Sequence, residues 1–174
     1  MALLPILIAP DPRLKKKSTP VTRVDDRVRR LMADMIETVY DSNGIGLSAP
    51  QVDIFERIIV VDCATGDDKP QPLKIANPEI LWRSDETVVC NEGCLSLPEY
   101  YAEVERPSAI RLRYLDEQNE IREIEAKGLL ATCIQHEMDH LDGVLFVDHI
   151  SALKRGIILR KLAKAKRLNA PVPA

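Results

Sequence analysis

Hydrophobic residues recur at helical spacing in three stretches of the chain. The first covers residues 25–41, where apolar side chains form one stripe and Asn43-Gly44 follows as the expected end of the helix. The second covers residues 129–142, and Gly143 supplies the left-handed stop that helices commonly use. The third covers residues 152–168. Three α-helices are therefore predicted.

The third predicted helix has a capping residue and two chemically different faces. Ser151 is the expected N-cap, because its hydroxyl oxygen can accept a hydrogen bond from the first turn. The apolar positions can pack on the body of the protein while the basic side chains face water. These apolar positions are Leu153, Ile157, Leu159, Leu162 and Ala163.

Seven shorter stretches have the composition of strands, and turn-forming residues separate them. Alternation of apolar and charged residues at 110–114 indicates a sheet with one face in water. The predicted strands are 57–62, 73–75, 80–82, 87–90, 101–105, 109–114 and 121–126. Strands clustered between helices with short connections predict an α+β fold, in which mainly antiparallel sheets pack around the second helix and a third helix closes the chain.

Length and composition favour one domain. With 174 residues, 45% of them hydrophobic, the chain can bury a sizeable core, and we expect a single domain over residues 1–169. Residues 170–174 contain only Ala, Pro and Val and are expected to fray. Aromatic residues make up 4% of the chain, so aliphatic side chains must form most of the core.

Charge is distributed unevenly along the chain. Seven of the 24 basic residues and none of the 27 acidic ones lie in residues 151–169, which leaves 17 basic against 27 acidic residues elsewhere. A basic C-terminal helix on an acidic body suggests a partner-binding surface. An ordinary solvated helix face explains the same pattern equally well.

The first ten residues and the cysteines indicate a compartment. The segment MALLPILIAP has no basic region, and Pro5 interrupts its apolar run, so we expect neither a signal peptide nor a membrane span. Four cysteines are too few for a disulfide scaffold in a chain of this size. Reduced thiols and a cytoplasmic location are favoured, with Cys63 and Cys133 as small core residues.

The second predicted helix carries the sequence His136-Glu137-Met138-Asp139-His140. Residues four apart share a helix face, so the two imidazoles can bind one metal ion. Glu137 lies one step round the helix, where its carboxylate can take a proton from a water on that metal. A solvated face is the alternative, but the helix is otherwise apolar, and burial of these groups without partners would be costly. The motif predicts metal-assisted hydrolysis.

A catalytic metal site needs a third protein ligand and leaves one position open. Downstream of the histidine motif the candidates are Asp142, Asp148 and His149, which lie at or beyond the helix end and are poorly placed to reach back. Upstream, a loop expected at residues 92–98 presents Cys94 next to a glycine. The residues therefore favour Cys94 as the third ligand.

A closed structural zinc site is the competing arrangement, with Cys90 and Cys94 joining the two histidines. However, 41 residues separate Cys94 from His136, against about 12–15 in a classical zinc finger. Cys90 also falls in a predicted strand, and a closed site would leave Glu137 without a role. An open site with three protein ligands is favoured.

Residues 44–51, Gly-Ile-Gly-Leu-Ser-Ala-Pro-Gln, are too irregular for a helix and lack the spacing of a phosphate-binding loop. An ordinary turn is one interpretation of this segment. The other is a segment whose glycines let an extended peptide come close and pair with it as an added strand.

Three motifs together resemble those of the peptide deformylase family. They are residues 44–51, then Glu92 to Ser96, then Gln135 to His140, and they follow the order of that family. The segment Asp11-Pro12-Arg13-Leu14 and the helical C-terminus are similar to bacterial-type members. The resemblance implies a hydrolase of protein biosynthesis that removes the formyl group from N-formylmethionyl nascent peptides and releases formate.

The resemblance also implies roles for particular residues. Glu137 would act as acid and base, while Gln51 and the backbone N–H of Leu95 would hold the formyl oxygen. Glu92 would pair with Arg106 and steady the cysteine loop. One divalent metal ion is implied, natively Fe²⁺, with Zn²⁺, Ni²⁺ or Co²⁺ able to replace it. The implied metal ligands are Cys94, His136 and His140.

Further expectations concern the substrate and partners. Tyr101 stands where many bacterial members carry arginine, so the preference beyond methionine stays open. The basic C-terminal helix is a candidate for docking on ribosomal RNA, and neither a membrane nor DNA is expected as a partner. The methionine needs an apolar slot beside the segment that pairs with the peptide backbone. The candidate residues for this region are Ile45, Gly46, Leu129, Thr132 and Cys133.

Two other functions fit the same residues. An endopeptidase could use the same metal helix, and a zinc-stabilised binding module could use the closed four-ligand site. The three alternatives differ in a simple assay. A deformylase releases formate from a formyl-Met peptide, an endopeptidase degrades casein, and the binding module hydrolyses neither.

Overall fold

The computed structural model describes residues 2–169, and the predicted tail 170–174 lies outside this range. In the described range, α1 is Asp26–Asp41, α2 is Gly128–Leu141 and α3 is Ala152–Leu168. Short 3₁₀ helices lie at Pro12–Lys15, Ala49–Val52 and Phe146–His149. The strands are β1 Gly46–Ser48, β2 Ile58–Val61, β3 Leu73–Arg83, β4 Thr87–Cys94, β5 Leu97–Pro107, β6 Ala109–Leu115 and β7 Ile121–Lys127.

The predicted α+β class is confirmed. Five strands form one sheet in the order β1-β2-β3-β6-β7, and β4 pairs with β5 in a separate hairpin. All of these pairings are antiparallel. Helix α2 contacts strands of both sheets, which places it at the centre of the fold as expected.

The three helices begin and end close to their predicted boundaries, and a side-chain cap fixes the start of α1 and of α3. The Asp25 carboxylate accepts a hydrogen bond from the Val28 N–H at 3.0 Å, and the Ser151 hydroxyl accepts one from the Lys154 N–H at 3.2 Å. After α1, Asn43 adopts the left-handed conformation with φ +56°. Asn43 rather than the adjacent glycine therefore ends this helix.

The strand predictions need three corrections. The separate strands at 73–75 and 80–82 are wrong, because β3 is continuous and absorbs register shifts around Pro78 in its pairing with β6. An ordinary turn at 44–51 is also wrong, since β1 pairs with β2 and is followed by a 3₁₀ helix. The predicted loop at 92–98 is shorter than expected, because β4 runs to Cys94 and only two residues separate it from the start of β5 at Leu97.

Only one side of α3 packs on the body of the protein. Leu162 is buried, and Ile158 and Leu159 pack beside it. In contrast, Leu153 is 72% exposed and Ile157 is 38% exposed, so the prediction that these two pack is wrong. At about 100° per residue, they lie on a different side of the helix from the buried three.

Helix α2 is buried in the core, and its apolar side chains fix its position. Ala131, Ile134 and Leu141 have no exposed surface, and they pack against Ile59 and Ile110 of the large sheet. Burial of each large aliphatic side chain stabilises the fold by about 1.5–3 kcal/mol. Among the described residues, no helix is both long and apolar enough to cross a bilayer.

We expect Gly143→Ala to destabilise the protein more than the matched change Gly66→Ala. Both glycines have positive φ, +76° and +61°, but only at Gly143 would a Cβ overlap a backbone carbonyl, that of Lys15. Left-handed strain alone costs about 1–2 kcal/mol, and the overlap adds to it. Urea unfolding measures both variants, and an equal loss of unfolding free energy would contradict this account of the α2 terminus.

Candidate metal centre

Three potential metal-binding side chains meet where β4 ends against α2. Cys94 is the last residue of β4, while His136 and His140 lie about one turn apart on α2. One ligand atom of each side chain lies within 4.8 Å of the other two, and the Cys94 Sγ is 3.4 Å from the His140 Nε2. The structure thus brings the three predicted ligands together, and their role as ligands stays a prediction.

A buried carboxylate orients the His136 ring. The Nδ1 atom of His136 lies 2.9 Å from the Glu92 Oε1, and both side chains are almost fully buried. A carboxylate can only accept a hydrogen bond, so Nδ1 is the donor. In the neutral ring that binds a metal, a proton on Nδ1 leaves the lone pair on Nε2, the arrangement that a histidine ligand needs.

Arg106 completes a buried polar network, and its predicted pairing with Glu92 is confirmed. Its Nε and Nη2 atoms donate to both oxygens of the Glu92 carboxylate at 2.6 and 2.9 Å. Its Nη1 atom donates to Asp139 at 2.9 Å, and His149 lies 2.8 Å from the same aspartate oxygen. Burial alone would raise the pKa of Glu92, but hydrogen bonds from His136 and Arg106 outweigh it and lower that pKa. Glu92 therefore stays charged.

Glu137 is buried next to this cluster. Its Oε1 lies 3.7 Å from the His136 Nε2, and its buried Oε2 has no hydrogen-bond partner within residues 2–169. Burial raises the pKa of Glu137 to about 7. A divalent cation nearby would lower this pKa, because it favours the charged carboxylate. A carboxyl group that changes protonation near neutral pH suits general acid–base chemistry.

The two predicted donors to the formyl oxygen lie beside Cys94. The Gln51 amide oxygen accepts hydrogen bonds from the Ser48 N–H and hydroxyl at 3.0 and 2.9 Å. Its nitrogen donates to the Ser96 Oγ at 3.0 Å and to the Cys94 Sγ at 3.4 Å. The hydrogen bonds of the described chain include none from the Leu95 N–H. The Gln51 amide is thus already hydrogen-bonded, whereas the Leu95 N–H is available to a ligand.

A cavity of about 440 Å³, which we call the first cavity, opens beside the cluster. His136 and Glu137 form part of its lining. A Cβ at Gly46 would lie 2.8 Å from the Cys133 Sγ, so a glycine lets β1 approach α2 closely. The lining includes all five residues predicted for the substrate: Ile45, Gly46, Leu129, Thr132 and Cys133.

The donor set and its surroundings fit a divalent transition metal. A thiolate with two imidazoles suits both zinc and iron. Burial lowers the pKa of His140 well below its ordinary value, which keeps that imidazole in the neutral form that binds metals. With three protein donors, a four-coordinate ion retains one position for water or substrate.

The alternative ligands lie elsewhere. The Cys90 Sγ is 3.8 Å from the Thr132 Oγ1, and within residues 2–169 the cluster of three donors contains no second cysteine. Asp142, Asp148 and His149 each form an ion pair or hydrogen bond with another side chain. The closed four-ligand arrangement is therefore not formed.

Ser96 and Asp139 hold site residues and were not predicted to do so. Ser96 accepts the hydrogen bond from Gln51, and Asp139 accepts one from Arg106. The place of Asp139 inside the histidine motif was an available signal, because a second acidic residue there needs a partner if the helix is buried. Ser96 gave no such signal, since its partner lies 45 residues away in the chain.

Comparisons with known proteins agree with this geometry. The family model described as polypeptide deformylase matches residues 3–156. A peptide deformylase of Methylocella silvestris is 54% identical over 176 residues, which cover 99% of this chain and 90% of the relative. A peptide deformylase of Phenylobacterium zucineum is 55% identical over 164 residues, which cover 94% of this chain and 97% of the relative. The crystal structure of peptide deformylase from Ehrlichia chaffeensis has a TM-score of 0.92 at 39% identity, and the match covers 97% of this chain and 99% of that one.

The family model and these relatives span nearly all of the chain, and the similar solved structure shares its whole fold. The resemblance carried by the three motifs is therefore confirmed. The chain belongs to the peptide deformylase family.

Proposed function

We propose that the chain removes the formyl group from the N-terminal formylmethionine of nascent peptides and releases formate. One observation carries the proposal: Cys94, His136 and His140 meet beside the buried Glu137 at the wall of the first cavity. The relatives named above are all peptide deformylases, which favours this reaction over cleavage of internal peptide bonds.

Cys94, His136 and His140 would hold one divalent metal ion. When bound, this ion supplies a Lewis acid for the formyl oxygen and lowers the pKa of the attacking water. We favour Fe²⁺ as the native ion because of the family resemblance, since thiolate and imidazole ligands suit Zn²⁺ as well. Glu92 would act on the site indirectly, because it holds the His136 ring in its ligating orientation.

The chain's own side-chain and backbone groups account for the proton transfers and for charge stabilisation. Glu137 accepts a proton from water as the water oxygen attacks the formyl carbon. Negative charge then develops on the formyl oxygen, where the Leu95 N–H and the Gln51 amide donate hydrogen bonds. Gln51 would exchange its contact with the Cys94 sulfur for this oxygen. Glu137 finally passes its proton to the amine nitrogen as the C–N bond breaks, which leaves formate and a free amino group.

An edge strand explains how many different peptides could be accepted. β1 lies at one end of the five-stranded sheet, and its residue Gly46 lines the first cavity beside Ile45. A substrate backbone can add to such an edge through main-chain hydrogen bonds, which do not depend on the peptide's side chains. Selectivity would then rest on the methionine in the slot.

The substrate also bears on location and partners. A bacterial-type enzyme that acts on nascent chains works in the cytoplasm, where those chains are made. Helix α3 presents exposed basic residues on its outer side. We include ribosomal RNA as a candidate partner for this helix, because clustered Lys and Arg side chains bind phosphate groups in a salt-dependent way.

Glu137→Gln is expected to lower kcat for formate release from a formyl-Met peptide by about 100- to 10,000-fold. The amide keeps the shape of the side chain but cannot accept the proton, while the metal ligands are unchanged. Metal analysis should show a normal metal content, and casein should remain intact in all samples. Glu79→Gln, the same change at an exposed site, is the control. Near-normal kcat in metal-loaded Glu137→Gln would reject the role of this residue.

Preparation in air should inactivate the enzyme if iron is the native metal. Oxidation of Fe²⁺ or of the Cys94 thiolate would then reduce activity relative to protein prepared without oxygen. Metal analysis and formate release are measured on both preparations. Equal activity and zinc as the bound metal in both would overturn the choice of iron, while leaving the reaction itself in place.

Co-sedimentation with ribosomes tests the role of α3. We expect binding at low salt that weakens as salt rises, and that is lost when the exposed residues Arg160, Lys161 and Lys164 are changed to Glu. The control carries the same charge change on the body, at Lys17, Arg23 and Arg30. Equal loss in both triple variants would show that net charge, not α3, determines binding.

A further inference from the structure

A second cavity, of about 580 Å³, lies between the β4–β5 hairpin and the beginning of α3. Its lining includes Glu103 on the hairpin side and Lys154 and Ile157 on α3. None of these three residues belongs to the candidate metal centre. The second cavity therefore has walls from two elements that are far apart in the sequence, and the reaction described above does not use it.

The first and second cavities share a wall. Asn91 and Tyr101 line both of them. The Tyr101 ring lies over Gly93, where a Cβ would overlap the ring, and 64% of this tyrosine is exposed. Along β4, Asn91 is about 10 Å from Cys94, at roughly 3.3 Å per residue. A path for an extended chain therefore runs from the metal centre over Tyr101 into the second cavity.

The surface along this path suits a polypeptide. Tyr101 and Ile157 expose apolar area, whereas Lys154 and Glu103 add one charge of each sign. An exposed tyrosine offers a flat apolar face together with a hydroxyl group, a combination common where peptides bind. The apolar character of Ile157 predicted that it packs on the body, but the side chain is exposed. Contact with a ligand would explain this exposure.

We propose that the second cavity binds the substrate polypeptide beyond its first residues. The inference rests on the proposed function, because it takes the formyl group at the metal centre and the methionine in the first cavity as its starting point. An extended chain advances about 3.3–3.6 Å per residue, so it reaches the level of Asn91 after about three residues. Later residues then contact Tyr101 and enter the space beside Ile157. The enzyme thereby prefers long chains over short formylated peptides.

The test compares kcat/KM for two C-terminally amidated substrates, formyl-Met-Ala and formyl-Met followed by eight residues. For the unmodified enzyme we expect a long-to-short ratio of roughly five or more, since a few well-packed contacts supply that much binding. Ile157→Trp obstructs the part of the second cavity that lies against α3 and should bring the ratio close to one without changing the rate for formyl-Met-Ala. Leu153→Trp is the matched control, because it adds the same side chain to an exposed position of α3 outside the cavity lining, and the ratio should persist.

Each remaining outcome overturns a defined part of the inference. A ratio of about one in the unmodified enzyme, or an unchanged ratio in both Ile157→Trp and Ile157→Ser, would overturn the second cavity as a peptide site while deformylation stands. If neither substrate is deformylated, the proposed function fails and takes this inference with it. The protein could instead self-associate, with association abolished by Ile157→Trp and kcat/KM independent of peptide length. That result would assign the second cavity to a second copy of the chain and overturn the inference.

Discussion

The buried ion pair between Arg106 and Glu92 is the interaction on which the site depends. Two charged groups can be buried only if they satisfy each other and their remaining hydrogen bonds, and loss of one partner typically costs about 3–5 kcal/mol. Here Glu92 also accepts a hydrogen bond from Nδ1 of His136, and Arg106 also donates one to the Asp139 carboxylate. The pair therefore ties both strands of the β4–β5 hairpin to α2, and the same hairpin brings Cys94 to the histidines.

Helix α2 combines packing and chemistry in one element. Its apolar residues pack against the five-stranded sheet, while Glu137 and the histidines stay within the buried part of the same helix. Polar groups in such a position reduce stability unless each one has a partner. His136 has its carboxylate, but one oxygen of Glu137 has no protein partner in the described chain. An unsatisfied acceptor beside a cavity is the arrangement expected of a group that must exchange a proton with a ligand.

Local signals predicted much of the fold and part of the site. The three helices follow from periodicity and from terminal signals such as Ser151 and Gly143, and the spacing of His136 and His140 follows from helix geometry alone. Long-range relationships could not be read in this way. β1 is too short to show alternation, and the contact of Ser96 with Gln51 depends on how distant segments pack. The exposed position of Ile157 likewise depends on which side of α3 meets the body.

X-ray absorption on the zinc-loaded protein tests most directly whether Cys94, His136 and His140 bind one metal ion and leave a position open. We predict one sulfur neighbour at about 2.3 Å and two imidazole nitrogens at about 2.0–2.1 Å, with an oxygen in the remaining position. The sulfur signal should disappear in Cys94→Ser. Two sulfur neighbours, or none in the unmodified protein, would contradict the assignment of this centre.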